Sequence, residues 1–409
     1  MAQVDQPLKS YRNVFIVWLC LMVLFVGFIV FFDRYGEYLA VRAWEQYPPN
    51  SYDAGMKYLE RGQLKEAADA FEVSLEYMAG PGAHEPAWRV RDAKLNLGKI
   101  YYQLGQYDKA VPFLKHFAES APGLDEGIPL YYLGETYLRL GDKEKAVEAF
   151  RLTTEWNFDP ISAIAFFRLG ELAAEAGDYN GAVENLNMAI TLDADEALTP
   201  QMWERASAIA LHAMHNTGGL RAAMAREIAG ICKYRLNDFA ACVEELQAAL
   251  SAGRDTARVH YFMAKAYEAQ GMNEKVQEHR ARIPSGRVAI KGQDMIHTFG
   301  SREGDAWILM RNGKLRYEVF LANRIQNIEV VAKGASADFV SARMVVLLAG
   351  ERVGVVETTD AGFERYIFRA SVSKERSLLE IEFTNDYRDP ETGEDRNLYV
   401  AEVAIDYAS

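Results

Sequence analysis

Residues Leu95–Pro122 read "LNLGKIYYQLGQYDKAVPFLKHFAESAP", and the pattern recurs as "YYLGETYLRLGDKEKAVEAFRL" (Tyr131–Leu152) and "FRLGELAAEAGDYNGAVENLNMAI" (Phe167–Ile190). The small residues fall in register: Gly98, Gly134 and Gly170, then Gly105, Gly141 and Gly177, then Ala110, Ala146 and Ala182, each step being 36 residues. An earlier copy carries Gly55, Gly62 and Ala67, and two later ones carry Gly230, Asn237 and Cys242, then Ala264, Gly271 and Val276. Each copy holds two helical apolar patterns, and most have a Gly-Asp or Gly-Gln turn between them. The first helix needs a small residue where the second crosses it closely. Such a hairpin cannot bury its own apolar face, so neighbours must stack.

These positions resemble the tetratricopeptide repeat, in about six copies from Pro48 to Ile283. The resemblance implies an all-α solenoid over residues 48–283. Longer steps from Gly55 to Gly98 and from Gly170 to Gly230 leave room for a loop and for an inserted helix near residues 200–215. It also implies a concave face that takes an extended peptide or a partner helix. The positions expected to line it are Lys99, Tyr102, Gln103, Tyr131, Glu135, Arg139, Phe167, Glu171 and Glu175. The Lys/Asn/Arg set with which some members of this family hold a C-terminal carboxylate is missing. Cys232 and Cys242 fit the helical pattern as small apolar residues, and His212 with His215 has no third ligand to make a metal site.

Residues 1–13 form a short tail before an uncharged, proline-free run from Val14 to Phe32. At about 1.5 Å per residue this run spans roughly the 30 Å hydrocarbon core of a bilayer. Arg12 and Asp33–Arg34 bracket it, and "FFDRYGEYL" offers no small-residue cleavage site. The expectation is a permanent single-pass transmembrane anchor (residues 14–32) in the inner membrane. Lys9 and Arg12 on one side balance Arg34 and Arg42 on the other. A short N-terminal tail ordinarily stays cytoplasmic, which places the bulk of the chain in the periplasm.

After residue 283 the period changes. Residues 284–293 read as a linker, with Pro284, Gly286 and Gly292, and residues 294–409 read as an antiparallel β-sandwich. Eight alternating runs are expected as strands: Trp307–Met310, Leu315–Val319, Ile325–Ala332, Ala342–Leu348, Arg352–Glu357, Arg365–Ala370, Ser377–Phe383 and Leu398–Tyr407. In "SLLEIEF", Leu379, Ile381 and Phe383 alternate with Glu380 and Glu382, the signature of a half-buried strand.

The closing stretch "FTNDY" (Phe383–Tyr387) followed by "DRNLYV" (Asp395–Val400) resembles the calcium-dependent, xylan-binding type of carbohydrate-binding module, a jelly-roll sandwich. What the resemblance implies is a calcium ion bridging a loop to sugar hydroxyls, with Asn385, Asp386, Asp389, Asp395 and Asn397 as candidate ligands. Calcium takes several hard oxygens, which carboxylates, amides and loop carbonyls supply. Arg396 is expected to pair with a neighbouring carboxylate and fix the loop. Ala401 stands where members of that family often carry an acid.

The chain is thus expected to be multidomain: one N-terminal transmembrane helix, an all-α repeat solenoid and a C-terminal all-β jelly-roll-like sandwich. The 409 residues carry a formal net charge of −13, which excludes a nucleic-acid role on electrostatic grounds. No nucleophile elbow, metal triad, phosphate loop or dinucleotide fingerprint is present, so no catalysis is expected. The expected function is a membrane-anchored scaffold that binds protein partners and assembles a membrane or extracytoplasmic complex. Calcium-dependent glycan binding in the cell envelope is the alternative.

Overall fold

The computed structural model describes residues 22, 50–80, 86–119, 127–156, 160–193, 197–284, 286–292, 295–297, 301–310, 312–320, 324–337, 340–370, 375–387 and 395–407. The Val14–Phe32 run, except Met22, lies outside the described residues. Among those described, no helix is long and apolar enough to cross a membrane. The chain divides into two compact units, Met1–Phe113 and Leu114–Ser409.

The first unit holds α1 (Ser51–Glu60), α2 (Leu64–Met78), α3 (Ala87–Gln103) and the start of α4 (Tyr107–Glu119). Gly55 lets the Phe71 ring approach to 3.0 Å of where a Cβ would stand, so α1 and α2 lie close together. Tyr52 Oη donates to Asp92 at 2.6 Å and Tyr101 Oη to Glu72 at 2.5 Å, tying α1 and α2 to α3.

In the second unit follow α5 (Gly127–Leu140), α6 (Lys143–Trp156), α7 (Pro160–Glu175), α8 (Tyr179–Leu192), α9 (Pro200–Asn216), α10 (Gly219–Arg235), α11 (Phe239–Ser251), α12 (Ala257–Ala269) and α13 (Asn273–Arg280). One local device recurs in three of these hairpins, α5–α6, α7–α8 and α10–α11: a residue in the left-handed region closes the first helix, and an aspartate opens the second. At α12–α13 Gly271 makes the turn, but Met272 supplies no side-chain cap. Gly141 and Gly177 have φ of 81° and 79°, and Asn237 replaces glycine at 62°, which asparagine tolerates. The following Asp142, Asp178 and Asp238 then accept from the backbone N–H groups of Lys145, Gly181 and Ala241, capping α6, α8 and α11. Sixteen residues after each crossing glycine comes a large apolar side chain that fills the space: Phe150 over Gly134, Leu186 over Gly170, Leu246 over Gly230. Cys232 and Cys242 are buried in this helical core as free thiols.

The sandwich has two antiparallel sheets. One runs β3 (Ser301–Glu303), β4 (Ala306–Leu309), β11 (Leu398–Tyr407), β6 (Ile325–Gly334) and β9 (Glu364–Arg369), with β1 (Arg287–Lys291) also paired to β11. The other runs β2 (Ile296–His297), β5 (Gly313–Phe320), β10 (Arg376–Phe383), β7 (Arg343–Leu348) and β8 (Glu351–Glu357). Leu379, Ile381 and Phe383 are fully buried between the sheets with Leu315, Val346 and Val403. All eight expected runs are strands. β1 to β3 add to them, so residues 284–293 are not a linker: Arg287–Lys291 pair in register with Asp406–Glu402, and Gly286 O accepts from Tyr407 N–H at 2.8 Å. Only Val288 and Ile290 turn inward, an alternation of two positions that is too short to announce a strand. Their pairing lies more than a hundred residues downstream.

The outer face of β5 and β10 is where the sandwich meets the helices of its own unit. Glu380 is buried because Arg316, directly opposite it, donates to it from Nε at 2.6 Å. Glu318 accepts from Arg376 at 2.7 Å and from Arg258 of α12 at 3.4 Å. Arg376 in turn donates to Ile190 O of α8 at 2.8 Å. Arg258 is saturated: Nε donates to Glu227 at 2.8 Å, Nη1 also to Thr191 at 3.0 Å, and Nη2 to Asn187. Around these charges the contact is apolar. Phe320 joins the helical core against Tyr261, with ring centroids 5.2 Å apart, and Ile296 packs on Ala163 and Leu192.

Burial pushes the Glu227 carboxyl up, but Arg258 and Arg254 outweigh it and hold it below the usual carboxylate range. The stabilisation this provides is present above the unfolded carboxylate pKa and is lost as pH falls through the folded one.

Two stability measurements check this fold. Gly134→Ala puts a Cβ 2.6–2.8 Å from the Phe150 ring. It should cost about 1–3 kcal/mol in a thermal melt followed by far-UV circular dichroism. Arg258→Met leaves Glu227 buried without its main partner and should cost about 3–5 kcal/mol by urea unfolding. The double variant with Glu227→Gln should recover part of that loss.

Candidate functional site: the sandwich loops and the repeat face

The loops at one end of the sandwich are held by Arg396, a buried guanidinium between β10 and β11. It donates from Nε to Val340 O at 2.9 Å, from Nη1 to Asn385 O at 2.6 Å and from Nη2 to Ala337 O at 2.8 Å. Its fork therefore ties main-chain carbonyls of two loops, rather than the carboxylate expected from the sequence. The Tyr387 ring covers it, 5.4 Å from centroid to guanidinium.

The candidate ligands divide around this clamp. Asn385 serves the fold: its Oδ1 accepts from Arg343 N–H at 2.6 Å and its Nδ2 donates to Ser341 O at 2.8 Å. Asp386 is positioned by its backbone N–H, which donates to Asn312 Oδ1 at 2.8 Å. Asp395 is half-buried at the start of the returning segment. Asp389 lies outside the described residues. Asn397 holds its backbone against Ala335 N–H at 2.8 Å, while its Oδ1 is buried with no hydrogen-bond partner among the described residues. The neighbouring residue of that strand end, Gly334, donates to Thr359 O at 2.8 Å, and Thr359 Oγ1 is likewise buried and unpartnered. Buried oxygens of this kind are costly unless something donates to them or binds them.

Among the described residues no three Asp, Glu, His or Cys side chains gather closely enough to hold a metal ion. The donors at this site fit calcium in one respect: Asn397 offers a hard, neutral oxygen with no hydrogen-bond partner among the described residues. Asn385 Oδ1 already accepts one hydrogen bond, which leaves one lone pair. Sequence reasoning missed the flanking surface. Lys333 sits over the rings of Tyr399 at 4.4 Å and Phe363 at 5.1 Å, and Ser336 donates to Asp360 at 3.1 Å. These residues come from β6 and the loop after it, from β11 and from the β8–β9 loop, so no local motif announces them. The one available cue was the polar run Thr358–Asp360.

The expected repeat face lies partly in each unit. In the first, Lys99 and Tyr102 are half-buried, Gln103 is exposed, and Tyr102 rests against Tyr107 at 5.8 Å. In the second, Tyr131 is half-buried beside Phe150, while Arg139 and Glu175 are exposed, Glu175 paired with Lys143 at 2.8 Å. Glu135 and Glu171 are both buried and joined by one cation: Arg168 reaches Glu135 at 2.7 Å and Glu171 at 2.9 Å. Arg205 of α9 also pairs with Glu171. Burial raises the Glu171 carboxyl above its usual range, against the pull of Arg168 and Arg205.

Phe167 is a correction. It is fully buried in the helical core and lines no surface. It occupies the place that Tyr131 holds one copy earlier, but α9 packs over α7 there and Arg205 lies 5.8 Å from the ring.

Residues 131–197 and 92–123 match tetratricopeptide-repeat models. The chain carries tetratricopeptide repeats. Residues 327–409 match the model described as a Ca-dependent, xylan-binding carbohydrate-binding module. No curated protein matches the chain in sequence. Among solved structures, the chain is similar to the CBM36-1 domain of a multidomain xylanase from the hindgut metagenome of Trinervitermes trinervoides. That match has 14% identity and a TM-score of 0.25, covering 30% of this chain and 98% of that one. A CBM36 module in complex with calcium and xylotriose matches at 16% identity and a TM-score of 0.23, covering 29% and 98%. A tetratricopeptide repeat protein from Parabacteroides merdae matches at 15% identity and a TM-score of 0.29, covering 57% and 92%.

The clamp can be tested directly. Arg396→Ala removes three charge-assisted bonds and should destabilise the protein by about 2–3 kcal/mol in urea unfolding. Arg396→Lys should restore little of that, because an ammonium cannot reproduce the planar fork.

Proposed function

We propose that this chain is a membrane-anchored, non-catalytic scaffold. Its repeats bind protein partners, and its C-terminal sandwich presents a second binding surface, so that the chain assembles or stabilises a membrane or extracytoplasmic complex. The observation that carries this reading is the buried seam of Arg258, Glu227, Glu318 and Arg376, which fixes the sandwich to the last repeats of its unit. A rigid body with two kinds of surface suits holding partners in a set geometry, and repeat arrays offer extended surfaces for protein segments. The Val14–Phe32 run supplies the anchor, placing the bulk of the chain in the periplasm.

A second reading, calcium-dependent glycan binding, is favoured by the module match over residues 327–409 and by the unpartnered Asn397 Oδ1. Asp386, Asp395 and Asn397 would hold the ion, which would supply a bridge between loop oxygens and sugar hydroxyls. Lys333, Tyr399 and Phe363 would flank the sugar.

One preparation tests both. The full chain, extracted in mild detergent, should co-purify with stoichiometric membrane-complex subunits; recovery as a free monomer would count against the scaffold. The same material titrated with xylo-oligosaccharides should bind them in calcium and release them in chelator if the second reading holds, and Asn397→Ala should weaken that binding.

A further inference from the structure

The seam between the last repeats and the sandwich holds an open cleft of about 320 Å³. This is the lower end of the size of small-molecule sites. Its two walls differ. The helical wall is polar, with Glu227, Arg254, Thr256 and Arg258; the sandwich wall offers Val288, Ile296, Tyr317 and Tyr407.

The charges do not cancel. Among the charged residues lining the cavity are three arginines, 254, 258 and 316, against two glutamates, 227 and 318. Adding the partners just outside, Glu380 on Arg316 and Arg376 on Glu318, leaves the same excess of one cation. Arg258 has spent all its nitrogens on Glu227, Thr191, Glu318 and Asn187. The surplus falls on Arg254. Among the described residues its guanidinium donates only from Nε, to Glu227 at 2.6 Å, so both Nη groups are available. An unbalanced positive site stands out in a chain whose net charge is −13.

The opposite wall adds donors. Tyr407 is 8% exposed and Tyr317 is half-buried. Both residues line the cleft, and among the described residues neither hydroxyl has a hydrogen-bond partner. Two phenol donors and the two open Nη groups of a guanidinium held at Nε by Glu227, set in a half-apolar cavity, match an oxyanion attached to a compact body.

We propose that this cavity binds a small organic carboxylate. Its carboxylate meets the Arg254 Nη groups, and its body lies against Val288 and Ile296 within reach of the Tyr317 and Tyr407 hydroxyls. The site is separate from the sandwich loops and does not depend on calcium.

The test is calorimetric titration of the full chain in mild detergent with two ring carboxylates, glucuronate and benzoate, and with glucose as an uncharged control. At least one acid should bind with a saturable, millimolar or tighter isotherm that chelator leaves unchanged, and glucose should not. Arg254→Met should weaken that binding at least tenfold, and Tyr407→Phe about threefold, with the circular dichroism melt showing that each variant folds. If Arg254→Met does not fold, Arg254→Lys replaces it, and a loss of threefold or more is expected because the fork is gone. No binding of either acid up to about 10 mM, equal binding of glucose, or binding indifferent to Arg254 and Tyr407 would overturn the assignment. Because chelator and xylo-oligosaccharide arms read the loops instead, failure here is distinguishable from failure of glycan binding there.

Discussion

Arg258 is the residue on which the second unit turns. A guanidinium taken out of water costs several kcal/mol unless its charge and each of its donors are met. Here Glu227 comes from α10, Thr191 and Asn187 from α8, and Glu318 from the sandwich. These partners belong to separate elements, so the cation is satisfied only when the helices and the sheet are in place together. The pair adds little net energy over an apolar replacement. What it adds is position: sliding the sandwich along the helices would leave buried charges unmatched.

The same logic recurs on a smaller scale. Arg168 is shared by Glu135 and Glu171 across adjacent hairpins, and Arg396 is shared by carbonyls of separate sandwich loops. In each case a planar fork with several fixed donors joins segments that have no covalent neighbourhood. Apolar packing supplies the bulk of the stability, through Phe150, Leu186 and Leu246 over their glycines and through the two inner faces of the sandwich. The arginines set register. This division leaves most polar side chains of the repeat face and loops already engaged, and it makes those that are not, Asn397 Oδ1, Thr359 Oγ1 and the Nη groups of Arg254 among them, the informative ones.

Much of the fold was legible because it follows local rules. The left-handed turn residue, the capping aspartate and the crossing glycine each act within one hairpin and recur at one spacing, so a single line of sequence shows them. The eight longer strands announce themselves by alternation. The site was less legible. Asn385, Asp386, Asp395 and Asn397 can be picked out as oxygen-bearing residues, but their types do not tell a ligand from a staple. Asn385 has both ends of its amide hydrogen-bonded, while Asn397, of the same chemistry, has an oxygen with no partner among the described residues. Phe167 misled for a related reason: its place in the repeat matches Tyr131, and only the helix Pro200–Asn216 packed above it makes it core.

By itself the sequence determined the repeat hairpins, the eight main strands and the apolar run near the N-terminus, because each depends on periods of two, 3.6 or 36 residues that need no partner to be seen. The tertiary structure alone decided that Arg287–Lys291 is a strand, that α9 covers Phe167, and that Glu227, Arg258 and Glu318 converge. Such choices depend on which distant surface supplies the missing hydrogen bond or opposite charge. No local pattern encodes that complement, since it exists only once the chain has brought the two surfaces together.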